Sequence, residues 1–164
     1  MSNPILADHY ARAAELGLAR RSRSSVLRFA LSDDAAPLPV SLVAFALLLA
    51  VGLVHIEDQG GFIGNVTPLY MAVGYYLVEI AAAITIPMIL RRKTGAWALA
   101  SLVSIGPFIA YILSRSVGLP GDPGDVGNWG YVLGTVSLIV EGTLFILSTV
   151  CLLRAVSAWR RAGR

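Results

Sequence analysis

The sequence predicts an all-α fold: a four-helix transmembrane bundle with N-in/C-in topology and an amphipathic N-terminal cytoplasmic helix. Three observations predict it. Of 164 residues, 56% are hydrophobic and 14% charged, whereas a soluble domain carries about 25% charged residues. Four apolar runs follow closely on one another, each of roughly 19–25 residues, long enough as helices to cross a hydrocarbon layer about 30 Å thick. Basic residues collect in alternate connecting segments, the pattern that orients helices in a membrane. The runs lack the alternation of a barrel, and only helices otherwise satisfy their own backbone in lipid.

Residues 1–37 form a polar, basic arm. Asn3 before Pro4 reads as an N-cap with proline at the first helical position, so a helix is expected from about Ile5 to Arg20. Arg20, Arg21, Arg23 and Arg28 suit an anionic membrane surface. The arm is too long and polar to precede a cleaved signal sequence, so the first apolar run is expected to be retained. The transmembrane domain is expected over 38–153, with spans at about 38–56, 66–90, 95–113 and 130–153. Residues 154–164 are read as a basic tail with Arg154, Arg160, Arg161 and Arg164. Pro87 and Pro107 interrupt the second and third spans, as packing kinks or as hinges.

The net charge is +3 and the pI near 9.4. The basic residues sit at the ends of apolar runs, which points to orientation and away from nucleic acid. The arm, Arg91–Lys93 and the tail fall on one side, which the positive-inside rule makes cytoplasmic. The opposite segments, Glu57–Asn65 and Ser114–Gly130, carry only Arg115 as a basic residue. Arginine heavily outnumbers lysine, a trait of GC-rich bacterial genomes, so a bacterial inner membrane with both termini cytoplasmic is expected. The single cysteine, Cys151, excludes an intrachain disulfide.

Two spans carry a carboxylate in their middle. "GYYLVEIAAAITIP" contains Glu79 and "GTVSLIVEGTLFILS" contains Glu141. Each lies about eleven residues after Pro68 or Gly130, roughly 16 Å below the outer boundary at ~1.5 Å per residue. A charge facing lipid there costs about 2.5–3.5 kcal/mol, so both must face protein, water or a partner. Tyr75 and Tyr76 near Glu79, and Ser137 near Glu141, can donate hydroxyl hydrogen bonds. These five residues form the candidate ligand or proton site. If the two helices are neighbours, the carboxylates can share a proton. Two structural readings stand beside this one: protonated glutamates tying helices together, and contacts with another subunit. "YMAVGYYLVE" and "YVLGTVSLIVE" also echo each other, through duplication of a helix hairpin or through the shared chemistry of such helices.

At the outer face, His55, Glu57 and Asp58 are metal-ligand residue types without the i, i+4 pair of a helical metal site. Asp122, Asp125 and Asn128 lie in "GLPGDPGDVGNW", which misses the calcium-loop pattern and reads as turns. Arg115 is read as a snorkelling anchor, or as the partner of Glu57, Asp122, Asp125 or an anionic ligand. Trp97 and Trp129 are expected at opposite membrane interfaces. No nucleotide loop, zinc motif, haem-attachment motif or nucleophile elbow occurs. Nothing supports covalent catalysis, and no metal or cofactor is assigned.

"SRSVGLPG", Ser114–Gly121, followed by "LIVEG" in the last span, resembles small bacterial four-helix membrane proteins whose third helix ends in such a segment. The resemblance covers the last three spans and implies a fold, with no activity and no site roles. The expected function is transporter-like handling of a proton, cation or small polar ligand through midplane carboxylates. The alternatives are an accessory or scaffolding subunit of a larger membrane complex and a membrane enzyme with a metal at His55, Glu57 and Asp58. The expected partners are the lipid bilayer and further copies or other membrane subunits, with no nucleic acid.

Overall fold

The computed structural model describes residues 25–33, 36–64, 66 and 68–162. The helix expected over 5–20, and the basic residues Arg20, Arg21, Arg23 and Arg164, lie outside the described residues. Within them the protein is all-α and no strand occurs. Four long helices are apolar enough to cross a membrane: α1 (Leu38–Asp58), α2 (Leu69–Leu90), α3 (Gly95–Ser116) and α4 (Val132–Ala162). A short helical stretch covers 25–31, and a single 3₁₀ turn covers Pro123–Asp125.

Local chemistry sets the helix ends. Proline opens α1 within its first turn, where a missing N–H costs nothing, and Pro68 caps α2. α1 stops at Gln59 because Gly60 and Gly61 follow in left-handed backbone, with φ of 88° and 110°. α4 runs on to Ala162, so Arg154, Arg160 and Arg161, expected in a tail, extend the last span as helix. From Thr143 to Ala162 there is no glycine or proline to end it.

The helices form an up-down-up-down ring. α1 packs on α2, α2 on α3, α3 on α4, and α4 closes against α1; α1/α3 and α2/α4 face each other across the diagonals. The closed core contains Leu48, Val51, Ile89, Trp97, Ala100 and Leu144. Trp97, in the first turn of α3, and Trp129, just ahead of α4, stand at opposite ends of the bundle; Trp97 is packed inside it at 1% exposed, whereas Trp129 is 49% exposed. Leu53, Leu77, Leu102, Ile139 and Ile146 point outward, as side chains bathed by lipid do. Ser101 and Ser148 hydroxyls, 2.9 Å apart, tie α3 to α4. Such ties in membranes average about 0.6 kcal/mol.

One end of the bundle is basic and is braced by the chain that precedes α1. The Thr94 amide donates to the Ser32 carbonyl at 2.9 Å, and Lys93 Nζ lies 2.7 Å from Asp33. Arg92 donates to the Ala36 carbonyl at 2.6 Å, and Phe29 meets Trp159 edge-on at 5.5 Å. The Lys93 hydrogen bond holds the Asp33 carboxyl below its ordinary range. The opposite end carries Asp58, Asp122 and Asp125, and it holds the candidate site.

Candidate functional site

The last turn of α1 places three polar side chains toward the bundle. His55, Asp58 and Gln59 stand at i, i+3 and i+4, so they share a helix face. His55 and Gln59 are buried, while Glu57, one residue off that face, is exposed.

His55 contacts α4. Its Nδ1 lies 2.9 Å from the Val51 carbonyl, which only accepts, so Nδ1 carries a hydrogen. Nε2 then faces Glu141 Oε1 at 3.7 Å. Ser137, one turn before Glu141, donates to the same oxygen at 2.5 Å. Glu141 is 0% exposed, and its Oε2 has no hydrogen-bond partner among the described residues.

Asp58 is held differently. The hydroxyls of Tyr75 on α2 and Tyr131 ahead of α4 both donate to its carboxylate, the latter at 2.6 Å. The bond to Asp58 pushes the Tyr131 phenol up to about 12, so it remains a donor across the neutral range.

Arg115, near the end of α3, is 6% exposed and forms an ion pair with Asp125. Its guanidinium lies 4.7 Å from the Tyr111 ring centre and 5.8 Å from that of Tyr131. The Gly127 amide donates to the Arg115 carbonyl at 2.8 Å, and Tyr70 donates to the Pro120 carbonyl at 2.8 Å. These bonds fold the α3–α4 connection back over the bundle. The Tyr111 ring packs against Gly134, where an added Cβ would collide with it.

These groups surround a cavity of about 920 Å³. Of the residues expected from sequence, Glu141, Ser137, Tyr75, His55, Asp58, Arg115, Asp122 and Asp125 line it. Glu79, Tyr76 and Glu57 do not. Glu79 accepts from Gln59 Nε2 at 2.6 Å, and Tyr76 reaches the Phe62 carbonyl at 3.5 Å on the exposed side. The two glutamates therefore do not meet. Their helices are diagonal in the ring, and the last turn of α1 gives each glutamate its own partner.

No family model, curated protein or solved structure matches the chain. The chemistry of the site therefore rests on its own geometry.

Among the described residues no three His, Cys, Asp or Glu side chains gather closely enough to hold a metal ion. This removes the geometric basis for a metal at His55, Glu57 and Asp58, since Glu57 leaves the shared face. Sequence reasoning missed Gln59, Tyr111 and Tyr131 as site-forming residues. The available signal was the i, i+3, i+4 spacing of His55, Asp58 and Gln59 at the end of an apolar run. Nothing comparable marks Tyr111, whose role depends on a glycine of another helix.

With Nδ1–H committed to Val51, the His55–Glu141 pair is complete when it holds one proton. Either a protonated Nε2 faces a carboxylate, or a carboxylic acid faces a neutral Nε2. Without that proton, two lone pairs oppose each other. At 3.7 Å the two groups stand just outside hydrogen-bond contact.

Proposed function

We propose that this protein handles a proton or a cationic ligand at the His55–Glu141 pair, in the manner of a small transporter. The observation that carries this reading is the unpartnered Oε2 of Glu141, fully buried on a carboxylate that lines a large cavity. A buried polar oxygen without a partner is costly, and a buried unpaired charge is more so. Its complement is a proton or a positive group. The charges around the cavity agree: Asp58, Asp122 and Asp125 join Glu141, against the single guanidinium of Arg115.

The positive-inside rule supports an orientation with the Arg91–Lys93 end and both termini cytoplasmic. The acidic end and its cavity then face outward from a bacterial inner membrane. As an accessory subunit, the protein would use Glu141 only as a packing group.

Infrared difference spectroscopy of the protein in lipid membranes, taken between two pH values, separates these roles. The expected result is a carboxyl band that appears and disappears with pH, is lost in Glu141→Gln and survives in Glu79→Gln. A spectrum without any titrating carboxyl from Glu141 would overturn the proton role.

A further inference from the structure

We infer that the ligand is an amphipathic organic cation, which enters the cavity sideways from the hydrocarbon layer between α2 and α3. This deepens the reading above and rests on Glu141 as the group that receives positive charge.

The side opening comes from two glycines. Gly74 on α2 and Gly106 on α3 both line the cavity, and a Cβ built on either meets nothing within 4 Å. Of the four neighbouring helix pairs in the ring, α2 and α3 touch least. Leu77 and Leu102 line the cavity yet are 62% and 67% exposed, so the cavity breaks the molecular surface between them. That surface lies along two apolar spans, where lipid is the solvent.

The walls define the ligand. Val78, Ala81, Leu99 and Val103 offer apolar surface along the approach to Glu141. A bare or hydrated inorganic ion needs no such wall, and about 920 Å³ is the volume of a site for a drug-sized molecule. The polar end selects charge. Arg115 is already neutralised by Asp125, which leaves Asp58, Asp122 and Glu141 as the surplus. Tyr70 and Tyr75 also line this end and supply ring faces that attract organic cations, whereas Tyr111 and Tyr131 already take the Arg115 guanidinium. An anionic amphipath fits the shape and not the charge.

The test uses the full chain in neutral phosphatidylcholine discs, with empty discs as the reference for partitioning into lipid. Tetraphenylphosphonium and tetraphenylborate share a shape and differ in sign. Equilibrium dialysis should show saturable binding of the phosphonium, one per chain, and no saturable binding of the borate. Glu141→Gln should weaken phosphonium binding about tenfold or more, as loss of a buried counter-charge implies. Gly106→Leu, which fills the side opening, should weaken it comparably while leaving the Glu141 carboxyl band intact. Phosphonium binding no greater than that of empty discs would overturn the inference. So would equal binding of both ions, which marks a groove for lipid chains, or indifference to Gly106→Leu. A titrating Glu141 band without phosphonium binding removes the ligand class alone. Phosphonium binding without that band removes the proton role alone.

Discussion

Glu79 and Glu141 occupy similar places in two apolar helices that run in the same direction, and the structure treats them in opposite ways. Glu79 receives an amide hydrogen bond from Gln59 and does not line the cavity. Glu141 receives one hydroxyl bond from Ser137, faces an imidazole at 3.7 Å, and keeps an oxygen without a partner beside a cavity. The difference lies in what α1 presents to each helix. Gln59 is a neutral donor that completes a carboxylate and makes it a tie between helices. His55 is a group that can itself gain and lose a proton, and it leaves its buried carboxylate with one oxygen unsatisfied. A carboxylate in a membrane helix is thus assigned by its neighbour and not by its depth.

The largest expected effect breaks the symmetry directly. Glu141→Gln should abolish proton handling and weaken cation binding about tenfold or more, because the amide has no proton to exchange and supplies no negative charge. Its stability should change little, because an amide nitrogen in the place of Oε1 can donate one hydrogen to Ser137 Oγ and the other to His55 Nε2. Glu79→Gln should leave handling within about twofold, since an amide at 79 still bonds to Gln59. Parallel binding or flux measurements on the two variants check this, and equal losses would collapse the distinction.

Removing the partner of Glu79 sharpens the comparison. Gln59 is 4% exposed, so Gln59→Leu strands a carboxylate oxygen that has lost its donor. The expected cost is about 1–3 kcal/mol in reversible unfolding from mixed micelles. Unchanged stability would mean that Glu79 is not a structural tie.

Gly134→Ala acts on the Glu141 side only. The added methyl collides with the Tyr111 ring, which itself carries the Arg115 guanidinium. Overpacking of this kind costs about 1–3 kcal/mol. It should also disturb ligand binding at the acidic end while sparing the Gln59–Glu79 bond. Thermal unfolding with and without tetraphenylphosphonium reads both effects.

The smallest effect belongs to the far end of the bundle, where neither glutamate takes part. Asp33 is held below its ordinary range by Lys93, so its bridge is present above the usual carboxylate range and lost as pH falls through the lowered value. Protection of the Thr94 amide against hydrogen exchange, relative to its intrinsic rate at each pH, should fall slightly in acid, since this amide bonds to Ser32 beside the bridge. Asp33→Asn should reproduce that loss of protection at neutral pH without altering Glu141. Exchange that ignores both acid and the substitution would show that the bridge does not brace this end.

Sequence alone determined the four long apolar helices, because hydrocarbon leaves the backbone no partner but itself and because glycine and proline mark most of the ends. It also determined that Glu79 and Glu141 need polar company, since a carboxylate facing lipid is expensive. The identity of that company was legible only in part. His55 and Asp58 stood out as polar residues ending an apolar run, but Gln59 belonged with them and Glu57 did not, a matter of helix phase. Trp97 read as an interfacial residue by type and position, and packing turned its ring inward at that end of the bundle. Only the tertiary structure decided that α2 and α4 lie across a diagonal, that the last turn of α1 serves each glutamate separately, and that Tyr111 rests on Gly134. Helical periodicity sets the direction in which a side chain leaves its own axis. What it meets there depends on the order, tilt and depth of the neighbouring helices, which are set by close packing among residues far apart in the chain.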